Sequence, residues 1–307
     1  MPVTFAFLLL PQVHLMDIAG PNQTILEAIG YGADFNIVYC GINQAPVCSS
    51  GLAMVKPVHF SKMRLQKGDY LIIPGCNVAY LTSPEFRAEK ELLQWVRNCH
   101  QAGVKLASIC SGAYVLAECG LLNDIECTTH FKRTQQLQQE YPRVRVKENV
   151  LFTKAQDIYT SAGVASGIDL ALYIVEQLVG SFIAHKVARE LVIYIRRDGS
   201  DTQHSAFLKY RNHIHAGIHK VQDYIIENIH RKNQLHDLAA AACMSERNLT
   251  RVFRKEAGIT INEFVNIIRI EKVNNLLHNP ELSRKQIARQ VGLESERQLL
   301  RILKQTG

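Results

Sequence analysis

The sequence predicts an α/β domain built on a parallel sheet covered on both faces, followed by an all-α domain with two helix-turn-helix motifs. Three observations carry this. Short, strongly apolar runs alternate with amphipathic stretches through the first 180 residues. From about Lys209 onward no strand pattern remains and helical patterns follow one another to the end. Within that tail, Ser245-Glu246-Arg247-Asn248-Leu249-Thr250-Arg251 returns as Ser295-Glu296-Arg297-Gln298-Leu299-Leu300-Arg301, an internal repeat.

The strands are expected at Thr4–Leu10, Phe35–Tyr39, Tyr70–Ile73 and Val104–Ile109. The helices are expected at Ala19–Ile29, Glu85–Gln101, Gly112–Glu118 and Phe131–Glu140, with Val164–Leu178 and Phe182–Ile195 closing the domain. The polar, Gly-containing stretch Arg196–Ser205 reads as a linker. The resulting division is 1–197 for the first domain, 198–212 for the linker and 213–307 for the helical domain.

Each copy of the repeat follows an amphipathic stretch with an apolar-Ala pair, Leu238-Ala239 or Ile287-Ala288. A turn comes next, Cys243-Met244 or Gly292-Leu293, and then the basic segment. Helix, short turn and basic helix is the pattern whose second helix enters the major groove. In the first copy Ser245 is the expected N-cap. Leu249, Val252 and Phe253 share the face that must pack inward. Arg247, Asn248, Thr250, Arg251, Arg254 and Lys255 lie off it, and Ser295, Arg297, Gln298 and Arg301 are the corresponding candidates in the second copy. Arginine pairs with guanine and asparagine with adenine, while lysine more often holds phosphate. For Arg269, between the copies, a phosphate contact and a salt bridge both remain open.

Charge agrees with a nucleic-acid partner. The chain holds 35 basic and 28 acidic residues, a net +7. Residues 201–307 hold 17 and 11 of these, so nearly all of the excess lies in the helical domain. Met1–Thr4 lacks a charged leader, and Phe5–Leu10 is too short to be a signal core or a membrane span. A cytoplasmic protein with no membrane contact is expected. The eight cysteines show no CxxC, and in a reducing compartment they read as thiols. His215 and His219 stand i, i+4, but no Cys or carboxylate completes a set, so no metal is expected. No cofactor is expected either.

Lys105–Ala117 reads as a strand, then Cys110-Ser111-Gly112, then a helix. A cysteine on such an elbow is expected above the sheet edge, where a ligand reaches it, with a thiol pKa lowered by the helix N-terminus. Backbone N–H groups in the Pro74-Gly75-Cys76 turn are expected to face that sulfur and cradle an oxyanion or carboxylate. His130, in Thr128-Thr129-His130, reaches the same pocket or bonds to backbone at a helix start; Asp17 bonds the thiol or caps the first helix. The candidate ligand pocket is thus Asp17, Gly75, Cys76, Cys110, Ser111 and His130, and no catalytic set is assigned.

These residues resemble the ThiJ/PfpI branch of the class I glutamine amidotransferase-like fold. The likeness lies in Asp17-Ile18-Ala19-Gly20-Pro21, Pro74-Gly75, Ile109–Ala113, Ala117–Leu122, Thr128–His130 and Ser161–Leu170. It implies a flavodoxin-like doubly wound sheet. Residues 213–307 resemble the AraC/XylS-type DNA-binding domain, with Gly258-Ile259-Thr260-Ile261 opening the helix that joins its two motifs. Together the two resemble the GlxA-like transcriptional regulators. The resemblance implies a sequence-specific regulator of promoters, controlled by a small, in this family often nitrogenous, metabolite in the first domain. A homodimer through that domain is compatible with it.

The departures matter. A glutaminase needs a His and a Glu two apart, and neither His185-Lys186-Val187 nor His204-Ser205-Ala206 supplies the Glu. Protease-like members place His after the nucleophile, where this chain has Ser111. The expectation is therefore a non-enzyme. The alternatives are a cysteine-dependent hydrolase or hydratase and a redox sensor, both through Cys110. In the second motif Leu293, Leu299 and Leu303 stand where the family shows Phe, and the sequence stops at Gly307 before the family's final helix. Exposed apolar surface is expected there.

Overall fold

The computed structural model describes residues 2–42, 47–51, 57–193, 197–200, 203, 210, 211, 213–277 and 282–303. The chain forms two compact units, Met1–Gln203 and His204–Gly307.

The first unit is built on β1 (Val3–Leu9), β2 (Phe35–Gly41), β3 (Val58–His59), β4 (Tyr70–Ile73), β5 (Lys105–Ile109), β8 (Phe152–Ala155) and β9 (Ile158–Ser161), in the order β3-β2-β1-β4-β5-β9-β8. All neighbours are parallel except β8 on β9. Side chains alternate between the faces of a strand. In β1, Phe5, Ala6, Phe7, Leu8 and Leu9 are all buried, so both faces of the sheet are covered. This is the apolar run that made a parallel sheet legible. Two short strands, β6 (Glu126–Cys127) and β7 (Arg145–Val146), pair separately.

The connecting helices are α1 (Leu15–Gly30), α2 (Val78–Leu81), α3 (Pro84–Arg87), α4 (Lys90–Gln101), α5 (Ala113–Glu118), α6 (Thr134–Glu140), α7 (Ala165–Val179) and α8 (Ser181–Glu190). Small residues bring α1 and α7 close. A Cβ on Gly20 would stand 2.7 Å from Ile168 Cγ1, and one on Gly167 3.4 Å from Pro21 Cγ. The connection from β1 goes to β2 on one side while β4 lies on the other. At this switch point lie the carboxyl ends of β1, β4 and β5, the usual ligand place in such sheets.

Several boundaries differ from expectation. The helix foreseen over 85–101 is two helices. Ser83 caps α3 by accepting from Phe86 N–H (3.2 Å), Pro84 sits in its first turn, and the chain breaks at Ala88 before restarting at Lys90. Helix α1 begins at Leu15, so Asp17 lies inside its first turn and His14, not Asp17, holds the N-cap position. The β8–β9 hairpin and β3 were not foreseen. Helix α8 ends at Glu190, and 194 and 195 of the expected Phe182–Ile195 lie outside the described residues.

Of the expected 198–212 linker, the first described residues are bonded into this unit. Gly199 O accepts from Leu151 and Phe152 N–H (2.9 and 3.2 Å). The Gln203 amide donates to Thr129 O (3.1 Å) and Val150 O (2.9 Å). Residues 201, 202, 204–209 and 212 lie outside the described residues.

The second unit holds α9 (Ala216–Glu227), α10 (Leu235–Ala241), α11 (Glu246–Ala257), α12 (Ile261–Leu277), α13 (Arg284–Gln290) and α14 (Glu296–Leu303). It has two cores. One gathers Ile218, Val221, Leu238, Leu249, Phe253 and Phe264. The other gathers Val273, Ile287, Val291, Leu293 and Leu299. Helix α12 contributes to both, Phe264 to the first and Val273 to the second. Leu299, expected to be exposed, is fully buried, and Ile302 and Leu303 are half-buried against the second core. The leucines at these positions close a smaller core of their own.

Candidate ligand site and nucleic-acid interface

The elbow forms as expected. Strand β5 ends at Ile109, and Cys110 turns the chain at φ 55°, a left-handed conformation that is strained for a residue with a side chain. Gly112 lets the turn close, because a Cβ there would collide with the Ile73 carbonyl. Two hydroxyls hold the elbow from below. Thr129 Oγ1 donates to Cys110 O (2.8 Å). Ser111 Oγ donates to Cys76 O (2.6 Å) and accepts from Cys76 N–H (3.0 Å).

This last pair corrects an expectation. The Cys76 N–H faces Ser111 Oγ, so it is not a free donor for an oxyanion. Cys76 itself is completely buried, with its thiol against Pro74 O (3.8 Å). Gly75 serves by having no side chain. A Cβ would stand 2.5 Å from Asp17 Oδ2 and 2.9 Å from Ser111 Oγ, and the Gly75 carbonyl accepts from His14 N–H (2.7 Å).

The thiol differs from expectation too. Cys110 is only 6% exposed, so its sulfur does not stand open above the sheet. Burial first, and then the Asp17 carboxylate beside it, push the thiol pKa well above its ordinary value; the Ser111 N–H and hydroxyl oppose this only in part. The short helix α5 does not reverse the sign.

Asp17 is fully buried. Its Oδ1 accepts from Val164 N–H (2.7 Å). Val164 stands at φ 50°, ψ −116°, an outlier for a β-branched residue, and that bond helps to hold it there. Asp17 Oδ2 is buried and has no hydrogen-bond partner among the described residues, with His14 Nδ1 3.4 Å away. One ligand atom each from His14, Asp17 and Cys110 lies within 4.8 Å of the others, a spacing that a small cation or a polar group can bridge. Gly163, at φ 88°, packs directly against Cys110. His14, Thr129, Gly163 and Val164 therefore belong to the site and were not singled out from the sequence. His14 carried no motif, although three residues before Asp17 in a helix is a neighbouring place.

His130 performs the backbone role foreseen for it. Its Nδ1 accepts from Lys132 N–H (3.4 Å) at the start of a short 3-10 turn, Phe131–Arg133. Burial, then the nearby Lys132, lower its pKa, while Asp17 raises it in part. A lowered folded value means that the unfolded chain takes up the proton more readily. His130 thus leaves stability intact above about pH 6.5 and erodes it as pH falls from there through the folded value. Its ring-proton titration in the full chain is expected to have a midpoint below that of a free histidine; a higher midpoint would contradict this account.

In the second unit the two turns share one bonding pattern. Cys243 N–H donates to Ala240 O (3.0 Å) and Met244 N–H to Ala239 O (2.9 Å). Gly292 N–H donates to Arg289 O (3.1 Å) and Leu293 N–H to Ala288 O (2.9 Å). Cys243 and Gly292 both have positive φ, 54° and 71°. Helix and turn thus repeat at a spacing of 49, whereas the Ser-Glu-Arg segments repeat at 50. Glu294 is the added residue, and its N–H donates to Gln298 Oε1 (2.9 Å).

Ser245 and Ser295 cap α11 and α14, accepting from Asn248 and Gln298 N–H (3.3 Å each). Leu249, Val252, Phe253 and Ala257 are buried, while Arg247, Thr250, Arg251, Arg254 and Lys255 are exposed and Asn248 is half-buried. Arg251 Nη2 donates to Asn248 Oδ1 (3.0 Å), and Thr250 spends its hydroxyl on Glu246 O (2.9 Å). On α14, Arg297, Gln298 and Arg301 are exposed around buried Leu299. His215 and His219 are occupied otherwise than as a metal pair. His215 caps α9 through Ile218 N–H (3.4 Å), and His219 Nε2 meets His213 O (2.7 Å).

No helix among the described residues is long and apolar enough to cross a membrane. Residues 3–177 match the model of the DJ-1/PfpI family, and residues 238–306 that of a helix-turn-helix domain. The HTH-type transcriptional regulator CdhR of Pseudomonas aeruginosa is 29% identical over 297 residues, 95% of this chain and 85% of its own. An isonitrile hydratase of Pseudomonas putida is 28% identical over 193 residues, 62% of this chain and 78% of its own. A crystal structure of an AraC family transcriptional regulator from Pseudomonas putida superposes with a TM-score of 0.54 at 23% identity, covering 62% of this chain and all of that one. The family thus contains enzymes as well as regulators, and the helix-turn-helix domain makes this chain a DNA-binding transcriptional regulator. By the match over more than half of its length, the chain belongs to the DJ-1/PfpI family.

Proposed function

We propose that the first domain is a sensor for a small metabolite carrying an N–H donor, and that α11 and α14 read a promoter. One observation supports the ligand class above all: Asp17 Oδ2 is buried and accepts no well-formed hydrogen bond among the described residues, with the Cys110 thiol beside it and His14 Nδ1 3.4 Å away. A buried acceptor without a donor is costly, by about 1–3 kcal/mol, and a ligand amine would relieve that cost. The neighbouring backbone donor at Cys76 is already occupied, so an amine or ammonium group fits the site better than the carboxylate expected from the sequence.

The cysteine-enzyme and redox-sensor readings both require the Cys110 thiolate. Burial and Asp17 disfavour that form, which supports a wall of the ligand site over a nucleophile. On the DNA side, the exposed arginines of two capped helices suit sequence-specific contacts in two major grooves.

The test is a thermal-shift panel on the full chain with small amines, amino acids and simple carboxylates. Amines should stabilise it, and Asp17→Asn should weaken that binding by about 1.5–3 kcal/mol, the loss of a charge-assisted bond. Stabilisation by carboxylates alone would reject the ligand class. Isonitrile or amide turnover that disappears in Cys110→Ser would replace the sensor with an enzyme. Genomic footprinting of the intact protein would supply the operator.

A further inference from the structure

A second candidate site lies within the helical domain. A cavity of about 430 Å³ is lined by Lys232 from the loop after α9, Asn266 and Arg269 from α12, Glu294 from the second turn, and Gln298 and Arg301 from α14. Three of these six side chains are cationic and one is acidic. Among the described residues, none of Lys232, Arg269 and Arg301 forms an ion pair with a carboxylate.

Arg269 is the anomaly. It is half-buried, and its Nε is fully shielded from solvent with no hydrogen-bond partner among the described residues. A guanidinium carries five N–H donors and cannot shed its charge. Burying it unpaired is unfavourable, and burial accordingly lowers its pKa. The salt bridge that the sequence left open for Arg269 is absent among the described residues.

We propose that this cavity seats one phosphate of the DNA backbone, gripped by Arg269 from the linking helix together with Lys232 and Arg301. Phosphate matches the planar fork of arginine, and the Asn266 and Gln298 amides supply further donors. Two lining residues, Gln298 and Arg301, belong to the helix that enters the groove in the reading above, so the cavity opens where a phosphate passes. The proposal rests on DNA binding by the second motif. It gives that motif an anchor outside its own helix-turn-helix.

The test uses the full chain and a random-sequence duplex, so it does not depend on an operator or an effector. Affinity is followed by fluorescence anisotropy across a salt series. One lost phosphate contact should flatten the slope of log affinity against log salt by about one. Arg269→Gln is expected to do so and to weaken low-salt binding several-fold, whereas Arg269→Lys keeps most of the slope. Lys232→Gln, at an exposed position, should also flatten the slope and stands in if Arg269→Gln fails to fold. Unchanged slopes in folded Arg269→Gln, or in Lys232→Gln, overturn the proposal. A separate arm compares melting in inorganic phosphate and in chloride at equal ionic strength. Phosphate stabilisation lost in Arg269→Gln while the DNA slope stays the same would assign the cavity to a free phosphate-bearing molecule and overturn the DNA seat.

Discussion

Gly163→Ala is expected to lower the stability of the first domain by about 3 kcal/mol or more. Two costs combine. The backbone at Gly163 has φ 88°, where a side chain adds about 1–2 kcal/mol of strain. The new Cβ would also lie on top of Cys110 Cβ and 2.8 Å from its Sγ. Cys110 has nowhere to go. Its carbonyl is held by Thr129, Ser111 is tied twice to Cys76, and Gly112 is pressed against Ile73 O. Trp95 is the chain's single tryptophan and lies in this domain, partly buried against the core, so its fluorescence reports urea unfolding of the first domain in the intact protein. Gly68→Ala is the control. Its φ is 95°, but nothing lies within 4 Å of the added Cβ, so only the backbone strain should appear. Equal midpoints for the two variants would mean that the elbow yields, and the rigid account of the site would be abandoned.

The elbow was legible because an apolar strand followed by Cys-Ser-Gly allows few backbone paths. The central strands were legible because burial on both faces leaves no room for polar residues, as in Phe5–Leu10. The β8–β9 hairpin was not, because its strands are four residues each and Thr153-Lys154 interrupts the apolar signal. Asp17 and Cys110 were correctly placed side by side, but the sign of the thiol's shift was missed. A sequence shows that a helix follows the cysteine; it does not show how deeply the sulfur is buried or how closely Asp17 sits against it. The repeat was legible as well, its helix and turn pairs returning 49 positions on and its Ser-Glu-Arg segment 50, and Glu294 takes up the difference. The backbone bonding at Cys243 and Gly292 shows the same turn in both copies.

Arg251→Ala is expected to cost about 1–3 kcal/mol of operator binding and to relax discrimination at one base pair. Arg251 is exposed on α11, opposite the face buried by Leu249 and Phe253, and Asn248 Oδ1 holds its guanidinium at 3.0 Å. That bond fixes the arginine before DNA arrives, which reduces the rotamer entropy lost on binding. Asn248→Ala should therefore weaken binding as well, and the double variant should lose less than the sum of the two, because both act through one pair. Arg247→Ala, at an exposed position with no such partner among the described residues, is expected to lose affinity additively with Arg251→Ala if each meets its own group. The measurement is anisotropy with the operator and with operators carrying single base changes. A uniform loss over all sequences would place Arg251 on a phosphate, and unchanged affinity in a folded variant would remove α11 from the groove. Arg301→Ala provides the comparison in the second motif. Arg301 also lines the Arg269 cavity, so its loss should flatten the salt dependence, whereas loss of a base-reading Arg251 should change the sequence preference instead.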